Sequence, residues 1–247
     1  MWSTVNAQWT QKGSKILGEF GGIYTGSSVS ISDDGNTVAI GEPYNPGALT
    51  AGWCGSVKVF NWDGTYWSQK GSDIDGESIN ENSGSSVSIS ADGNTVAIGS
   101  PNNDNPNGTN AGHVRVYDWN INNWTQRGSD IDGEVDNNFC GKSVSISSDG
   151  NTIAIGAPGL SSNYVKVFVW SGSAWYQKGV KIEGESVYDK SGWSVSLSDD
   201  GNIVAIGAPS NNGTGTHSGH VRIYEWSGLY WFQKGNDIDG EAAADRS

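Results

Sequence analysis

The same phrase of strand-forming residues is written four times in this chain, so the fold must give four copies equivalent surroundings. It reads SVSISDDGNTVAIG at Ser28–Gly41, SVSISADGNTVAIG at Ser86–Gly99, SVSISSDGNTIAIG at Ser143–Gly156 and SVSLSDDGNIVAIG at Ser194–Gly207. Each copy is followed by VKVFNW, VRVYDW, VKVFVW or VRIYEW, then by a Trp, a QKG or QRG, and an acidic IDGE or IEGE stretch in most units. Trp9, Trp67, Trp124, Trp175 and Trp231 hold the same place in successive units, at spacings of 58, 57, 51 and 56 residues. That period is too long for a leucine-rich or ankyrin unit and suits one four-stranded propeller blade. The units differ in length in the segment after a Gly-x-Pro: Tyr44–Gly55, Asn102–Gly112, Gly159–Asn163 and Ser210–Gly219. Length variation confined to one junction marks a surface loop on a fixed scaffold.

The phrase predicts strands. Val29 and Ile31 alternate with Ser28, Ser30 and Ser32, a period of two. Asp33-Asp34-Gly35-Asn36 supplies a hairpin turn, with Gly35 free to take positive φ. Thr37–Gly41 is a second strand and Val57–Trp62 a third, with Val57 and Val59 on one side and Lys58, Phe60 and Trp62 on the other. Trp67–Ile74 is expected to be a fourth. These are strands a, b, c and d. No segment shows a helical period with caps. A unit apolar on both faces cannot bury itself alone, but radially stacked units can, with small Ser side chains on strand a near the crowded axis. The expected fold is therefore all-β, a propeller of four-stranded antiparallel blades rather than a sandwich. The chain, residues 1–247, reads as one propeller domain or propeller segment. Its repeats run over about 17–74, 75–131, 132–182 and 183–238, with partial repeats at both ends.

The phrase SGSSVSISADGNTVAIGSP followed by GHVRVYDW resembles the FG-GAP repeats of the integrin α-subunit propeller and of many bacterial and algal surface proteins. The resemblance spans essentially the whole chain. It is closest at the Gly-x-Pro ends of strand b, Gly41-Glu42-Pro43, Gly99-Ser100-Pro101, Gly156-Ala157-Pro158 and Gly207-Ala208-Pro209, and looser at the Phe-Gly start. It implies a recognition propeller, usually of about seven blades and often at a cell surface, so an extracellular or surface location is expected. Integrin-type repeats also carry a calcium loop between strands a and b. Here that loop is only Asp33-Asp34-Gly35-Asn36 and its copies, too few oxygens for an ion that takes six to eight. These Asp-Gly pairs read as hairpin turns. In the IDGE stretches Asp73, Asp75, Glu77, Asp130, Asp132 and Glu134 are candidate calcium ligands. Lys181 interrupts the pattern in one copy, and Lys58, Arg115, Lys166 and Arg222 recur once per unit, so structural ion pairs are preferred and no cofactor is expected.

A net charge of −13 disfavours a nucleic-acid partner, which needs clustered Lys and Arg. No apolar run is long enough for membrane insertion, and the N-terminal MWSTVNAQWTQKG lacks the regions of a signal peptide. His113 and His220 share one repeat position, where Ser56 and Tyr164 stand in the other units, so they read as local structure rather than catalysts. The repeated carboxylates offer no unequal acid–base pair. Cys54 and Cys140 fall two blades apart and are expected to be free thiols. Asn107, Asn123 and Asn212 begin Asn-x-Thr sequences, a weak glycosylation pattern.

Chain order places the d–a and b–c loops on one face. The expected function is a non-enzymatic recognition or adhesion module that binds a protein or glycan there. Candidate ligand-binding residues are Tyr44, Asn45, Trp53, Asn102, Asn103, Asp104, Tyr188, Trp193, Asn211 and Asn212. A structural spacer in a large surface or filament protein, and a non-catalytic part of a larger enzyme, are the rival readings. Strands a, b and c occur four times but the d-type phrase five times, at Trp9 as well as in each unit. The chain therefore reads either as a segment of a longer propeller or as four blades closing on themselves. An open arc predicts self-association through its end blades.

Overall fold

The computed structural model describes residues 9–48 and 52–245; Trp2 and part of the first b–c loop lie outside them. The described chain is all strand and turn. Blade 1 comprises β1 (Ser28–Ile31), β2 (Thr37–Glu42), β3 (Ser56–Trp62), β4 (Trp67–Gln69) and β5 (Ile74–Asp75). Blade 2 comprises β6 (Ser86–Ile89), β7 (Thr95–Ser100), β8 (His113–Asn120), β9 (Asn123–Gln126) and β10 (Ile131–Asp132). Blade 3 follows with β11 (Ser143–Ile146), β12 (Thr152–Ala157), β13 (Tyr164–Trp170), β14 (Trp175–Gln177) and β15 (Ile182–Glu183). Blade 4 has β16 (Ser194–Leu197), β17 (Ile203–Ala208), β18 (His220–Trp226), β19 (Trp231–Gln233) and β20 (Ile238–Asp239). Every pairing within a blade is antiparallel, and each blade is one contiguous piece of chain.

One expectation is corrected. Strand d is not continuous: β4 and β5 both pair with β3, through Trp62↔Trp67 at one end and Val57↔Ile74 at the other. Between Gln69 and Ile74 the outer strand uses more residues than the facing stretch Val57–Phe60. The extra residues bulge at Lys70-Gly71, where Gly71 takes φ +80°. Such a bulge re-aims a side chain, and here it sends Lys70 across to blade 2.

The serine–aspartate hairpins follow from local hydrogen bonding. Asp34 accepts from the Ser32 hydroxyl at 2.6 Å and from the Asn36 backbone and amide nitrogens at 2.9 Å each. The same trio forms at Asp92, Asp149 and Asp200. Hydrogen bonds from Ser198 and Asn202 hold the exposed Asp200 carboxyl down at about 2. These carboxylates are turn caps, with their oxygens already engaged.

Three apolar seams join the blades. In the first, Ala39, Val57, Val59 and Ile74 of blade 1 meet Val87, Ile89, Val96 and Ile98 of blade 2. Equivalent residues form the second and third seams. Burying such a side chain is worth about 1.5–3 kcal/mol, so the seams supply most of the cohesion. Polar contacts fix their register. The serines of strand a point to the next blade: Ser28 Oγ donates to the Gly84 carbonyl at 2.8 Å, and Ser30 Oγ accepts from the Ile89 amide at 3.0 Å. At the rim Lys70 Nζ donates to the Gly93 carbonyl at 2.7 Å and to Asn94 Oδ1 at 2.8 Å. It also lies 5.3 and 5.4 Å from the rings of Trp119 and Trp124, and Trp124 Nε1 donates back to the Lys70 carbonyl at 2.8 Å. Arg127 and Lys178 repeat this latch at the next two junctions.

Lys12 makes the same latch onto blade 1, reaching Gly35 and Asn36 beside Trp62 and Trp67. Residues 9–19 thus sit where the tail of a preceding blade would, although they form no strand and Trp9 is fully exposed. The four blades do not close on themselves. Val29 and Ile31 are 63% and 57% exposed, whereas Val87, Ile89, Val144 and Ile146 are buried. Ile238 is 57% exposed while Ile74, Ile131 and Ile182 are buried. The arc is open at both faces.

The two ends offer an internal control. Gly71 and Gly235 share φ +80°, but a Cβ on Gly71 would lie 2.6 Å from the Trp119 ring and one on Gly235 would meet nothing. Gly71→Ala is expected to cost about 1–3 kcal/mol more than Gly235→Ala, read from urea denaturation midpoints. Equal costs would show that the rim latch contributes nothing to packing.

Candidate functional site

The d–a and b–c loops lie side by side, as parallel bridges Gly55↔Ser83 and Gly112↔Cys140 between them record. Where they converge on the axis they enclose a cleft of about 540 Å³ lined by all four blades. Tyr44 contributes from blade 1, Asn102 from blade 2, Phe139 and Lys142 from blade 3, and Lys190 and Trp193 from blade 4. A larger recess of about 650 Å³ adjoins it, sharing Trp193 and Lys190 and adding Tyr188 and His217. That recess runs onto Gly207 and Val221, on the outer face of blade 4. The axial cleft is the site to which all four blades contribute.

Its electrostatics run against the chain as a whole. The net charge is −13, yet the cleft lining holds two lysines and no carboxylate. Lys142 Nζ lies 4.8 Å and Lys190 Nζ 5.2 Å from the Trp193 ring, which remains 44% exposed. Lys190 adopts a left-handed backbone, φ +59°. At the blade 1 edge, Tyr44 packs against Tyr24 and against Trp53 at 5.1 and 6.0 Å. The site therefore combines exposed aromatic faces with fixed positive charge.

The expected ligand residues divide. Tyr44, Asn102 and Trp193 line the axial cleft, Tyr188 lines its neighbour, and Trp53 is exposed beside Tyr44. Asp104 and Asn212 are exposed but accept hydrogen bonds from Asn110 and His217 within their own loops. Asn45, Asn103 and Asn211 are buried framework: their amides donate to Glu42, Glu81 and Asp189 at 2.7, 2.7 and 3.1 Å. They occupy one repeat position and tie the b–c loops of blades 1, 2 and 4 to a buried acid. Lys142, Lys190 and Phe139 were missed. The signal was present, since Lys142 and Lys190 are the basic residues of otherwise acidic d–a loops.

The acids of one IDGE stretch do not converge. Asp73 takes the Gln69 amide and faces Lys58, Asp75 packs toward Gly47 and Cys54, and Glu77 pairs with Arg115 at 3.1 Å. Burial pushes the Asp75 and Asp132 carboxyls up. Glu134 is paired with Lys166 at 2.6 Å and Lys181 at 3.1 Å, and Asp130 lies 3.6 Å from His113. The once-per-blade cations thus meet these acids, Arg115 and Lys166 across blade junctions and Lys58 within its own blade.

No protein-family model matches the chain, and no curated protein does. Solved structures do match. TolB from Acinetobacter baumannii is 14% identical with a TM-score of 0.52, over 91% of this chain and 45% of that one. A periplasmic gluconolactonase from Pseudomonas aeruginosa is 14% identical with a TM-score of 0.55, over 88% and 58%. The β-propeller domain of the trilobed protease from Pyrococcus furiosus, described as having an open velcro topology, is 12% identical with a TM-score of 0.51, over 87% and 58%. This chain spans about half the length of these structures. The blades and these neighbours define the class: an all-β protein with a β-propeller fold. Such neighbours include enzymes and binding proteins, and at this identity they speak for the fold alone.

Cys54 and Cys140 are free and buried under the loop face. Burial pushes the Cys140 thiol up to about 12, and burial with Asp75 nearby raises Cys54. Neither is expected to react with a maleimide at pH 7 in the native protein, while both label in urea, because the thiolate is the nucleophile. Prompt native labelling of Cys140, read by mass spectrometry, would contradict the packing of the second seam.

Proposed function

We propose that this chain is a recognition module built on an FG-GAP-type propeller, and that it binds anionic groups of a ligand in the axial cleft of its loop face. The observation that carries the reading is the pair Lys142 and Lys190 flanking an exposed Trp193 in a carboxylate-free cleft. A carboxylate or sulfate would meet the ammonium groups, and an adjoining ring or apolar segment would meet the aromatic faces. A glycan and an acidic protein segment both present that chemistry. The recognition role of FG-GAP propellers, often at a cell surface, fits the same reading.

Two arrays separate the sources, one of uronic and sulfated glycans and one of acidic peptides. Binding to one of them is expected, weakened at least tenfold by Trp193→Ala or by the pair Lys142→Ala and Lys190→Ala. It is also expected to weaken when the b–c loops of blades 1, 2 and 4 are replaced by the five-residue loop Gly159–Asn163. Binding indifferent to all these changes would remove the cleft from the function.

A second reading concerns the ends. The apolar seam, the strand a serine bonds and the close glycine approach are each made three times and left open on blade 4. Gly41, Gly99 and Gly156 each lie against a carbonyl of the next blade, whereas Gly207 has only its own Ser194 nearby. Ile238 and the partly exposed Val221 and Ile223 form its unpartnered seam. The matching half, Val29 and Ile31, is exposed on blade 1. We infer that blade 4 of one copy docks on blade 1 of a second, continuing the established seam. Sedimentation should show concentration-dependent association that Ile238→Glu and Ile31→Glu each weaken. A monomer across micromolar concentrations would sink it.

A further inference from the structure

We propose that His113 with Glu77 and Asp130, and His220 with Glu185 and Asp237, form two equivalent sites for a divalent transition cation such as Zn²⁺, each spanning a blade junction. In each set one potential donor atom per residue lies within 4.8 Å of the others. His220 Nδ1 stands 3.4 Å from Asp237 Oδ2 and 3.9 Å from Glu185 Oε2, and His113 Nδ1 stands 3.6 Å from Asp130 Oδ2. The Glu comes from the tail of one blade, and the His and Asp from the next.

Three observations point to a ligand. First, both imidazoles are about 1% exposed, yet neither nitrogen of His220 and not Nε2 of His113 has a hydrogen-bond partner. A buried polar nitrogen is rarely left unpaired, and here His220 Nδ1 faces two carboxylates and His113 Nδ1 faces that of Asp130. Second, the other two blades fill the same place with a covalently attached cation. In blade 1, where Ser56 replaces the histidine, Lys58 Nζ lies 2.8 Å from Glu19 and 3.6 Å from Asp73, the counterparts of Glu77 and Asp130. In blade 3, where Tyr164 replaces it, Lys166 and Lys181 converge on Glu134 at 2.6 and 3.1 Å. Blades 2 and 4 replace that lysine with Arg115 and Arg222. Their guanidinium groups donate to the backbone carbonyls of Asp75 and Glu183, at 2.9 and 2.8 Å, and Arg115 also pairs with Glu77 Oε1 at 3.1 Å, leaving its other oxygen available. The position between the carboxylates is thus relieved of its ammonium where a histidine appears. Third, the donors suit the ion. Arg222 approaches Oε1 of Glu185 at 3.9 Å and leaves Oε2 toward His220.

One nitrogen and two carboxylate oxygens match the ligand types of Zn²⁺, with bonds of about 2.0–2.2 Å and a fourth position for water. The carboxylates are a quarter to a half exposed, so they have room to draw in.

The test is Zn²⁺ and Co²⁺ binding to the full chain. Equilibrium dialysis is expected to give two ions per chain, falling to one in His113→Gln or His220→Gln and to none in the double variant. Bound Co²⁺ should give a visible d–d spectrum that halves in step. Asp130→Asn and Asp237→Asn remove an acid without touching the imidazoles, and each should weaken its own site at least tenfold. Absence of Zn²⁺ or Co²⁺ binding, or a stoichiometry unchanged by the histidine and aspartate variants, overturns the proposal.

Discussion

Each sheet in this molecule is apolar on both faces, and that constraint governs the rest. A sheet with one wet face could stand alone or pair once. These must have a neighbour on each side, so the blades stack in series and each adds its own seam. Small side chains make the close approach possible. Glycine ends strand b because a carbonyl of the next blade lies against it, and a Cβ at Gly41, Gly99 or Gly156 would clash with that oxygen at 2.0 Å. Serine alternates on strand a because its hydroxyl can bond the next blade where a larger side chain would hold the strands apart.

The seams are non-directional, so they need register. The rim latch provides it through a lysine or arginine that the strand d bulge turns outward. Burial lowers the pKa of Lys70 and Lys178, but a carbonyl, an Asn side chain and two indole faces offset the lost water. The same division of labour recurs on the loop face, where Asn45, Asn103 and Asn211 secure the loops from below and leave Tyr44, Lys142, Lys190 and Trp193 at the surface.

Repetition made the fold legible. Four copies of one phrase gave the blade, the strand order and the shared loop face, because equivalent sequence demands equivalent surroundings. What repetition could not reveal lies where blades differ or where partners come from a neighbouring repeat. Strand d read as continuous because Trp67–Ile74 has no proline, and only the pairing of both halves with β3 exposes the bulge. Asn103 and Asn211 read as ligand residues because loop asparagines usually face water, whereas buried acids, distant in sequence, draw them inward. Lys142 and Lys190 went unnoticed because their importance lies in a third residue, Trp193, that folding brings between them.

The latch runs one way: the tail of a blade grips the head of the one that follows it in the chain. Each blade is also a contiguous stretch, with no strand borrowed from a distant part of the chain. As the chain leaves the ribosome, a blade can therefore pair its own strands first and then wait for its successor, without a long loop to close. Assembly becomes vectorial, and inserting or deleting a whole repeat leaves every junction formally intact. Such a scaffold can change length over evolutionary time while its loop face keeps pace one repeat at a time.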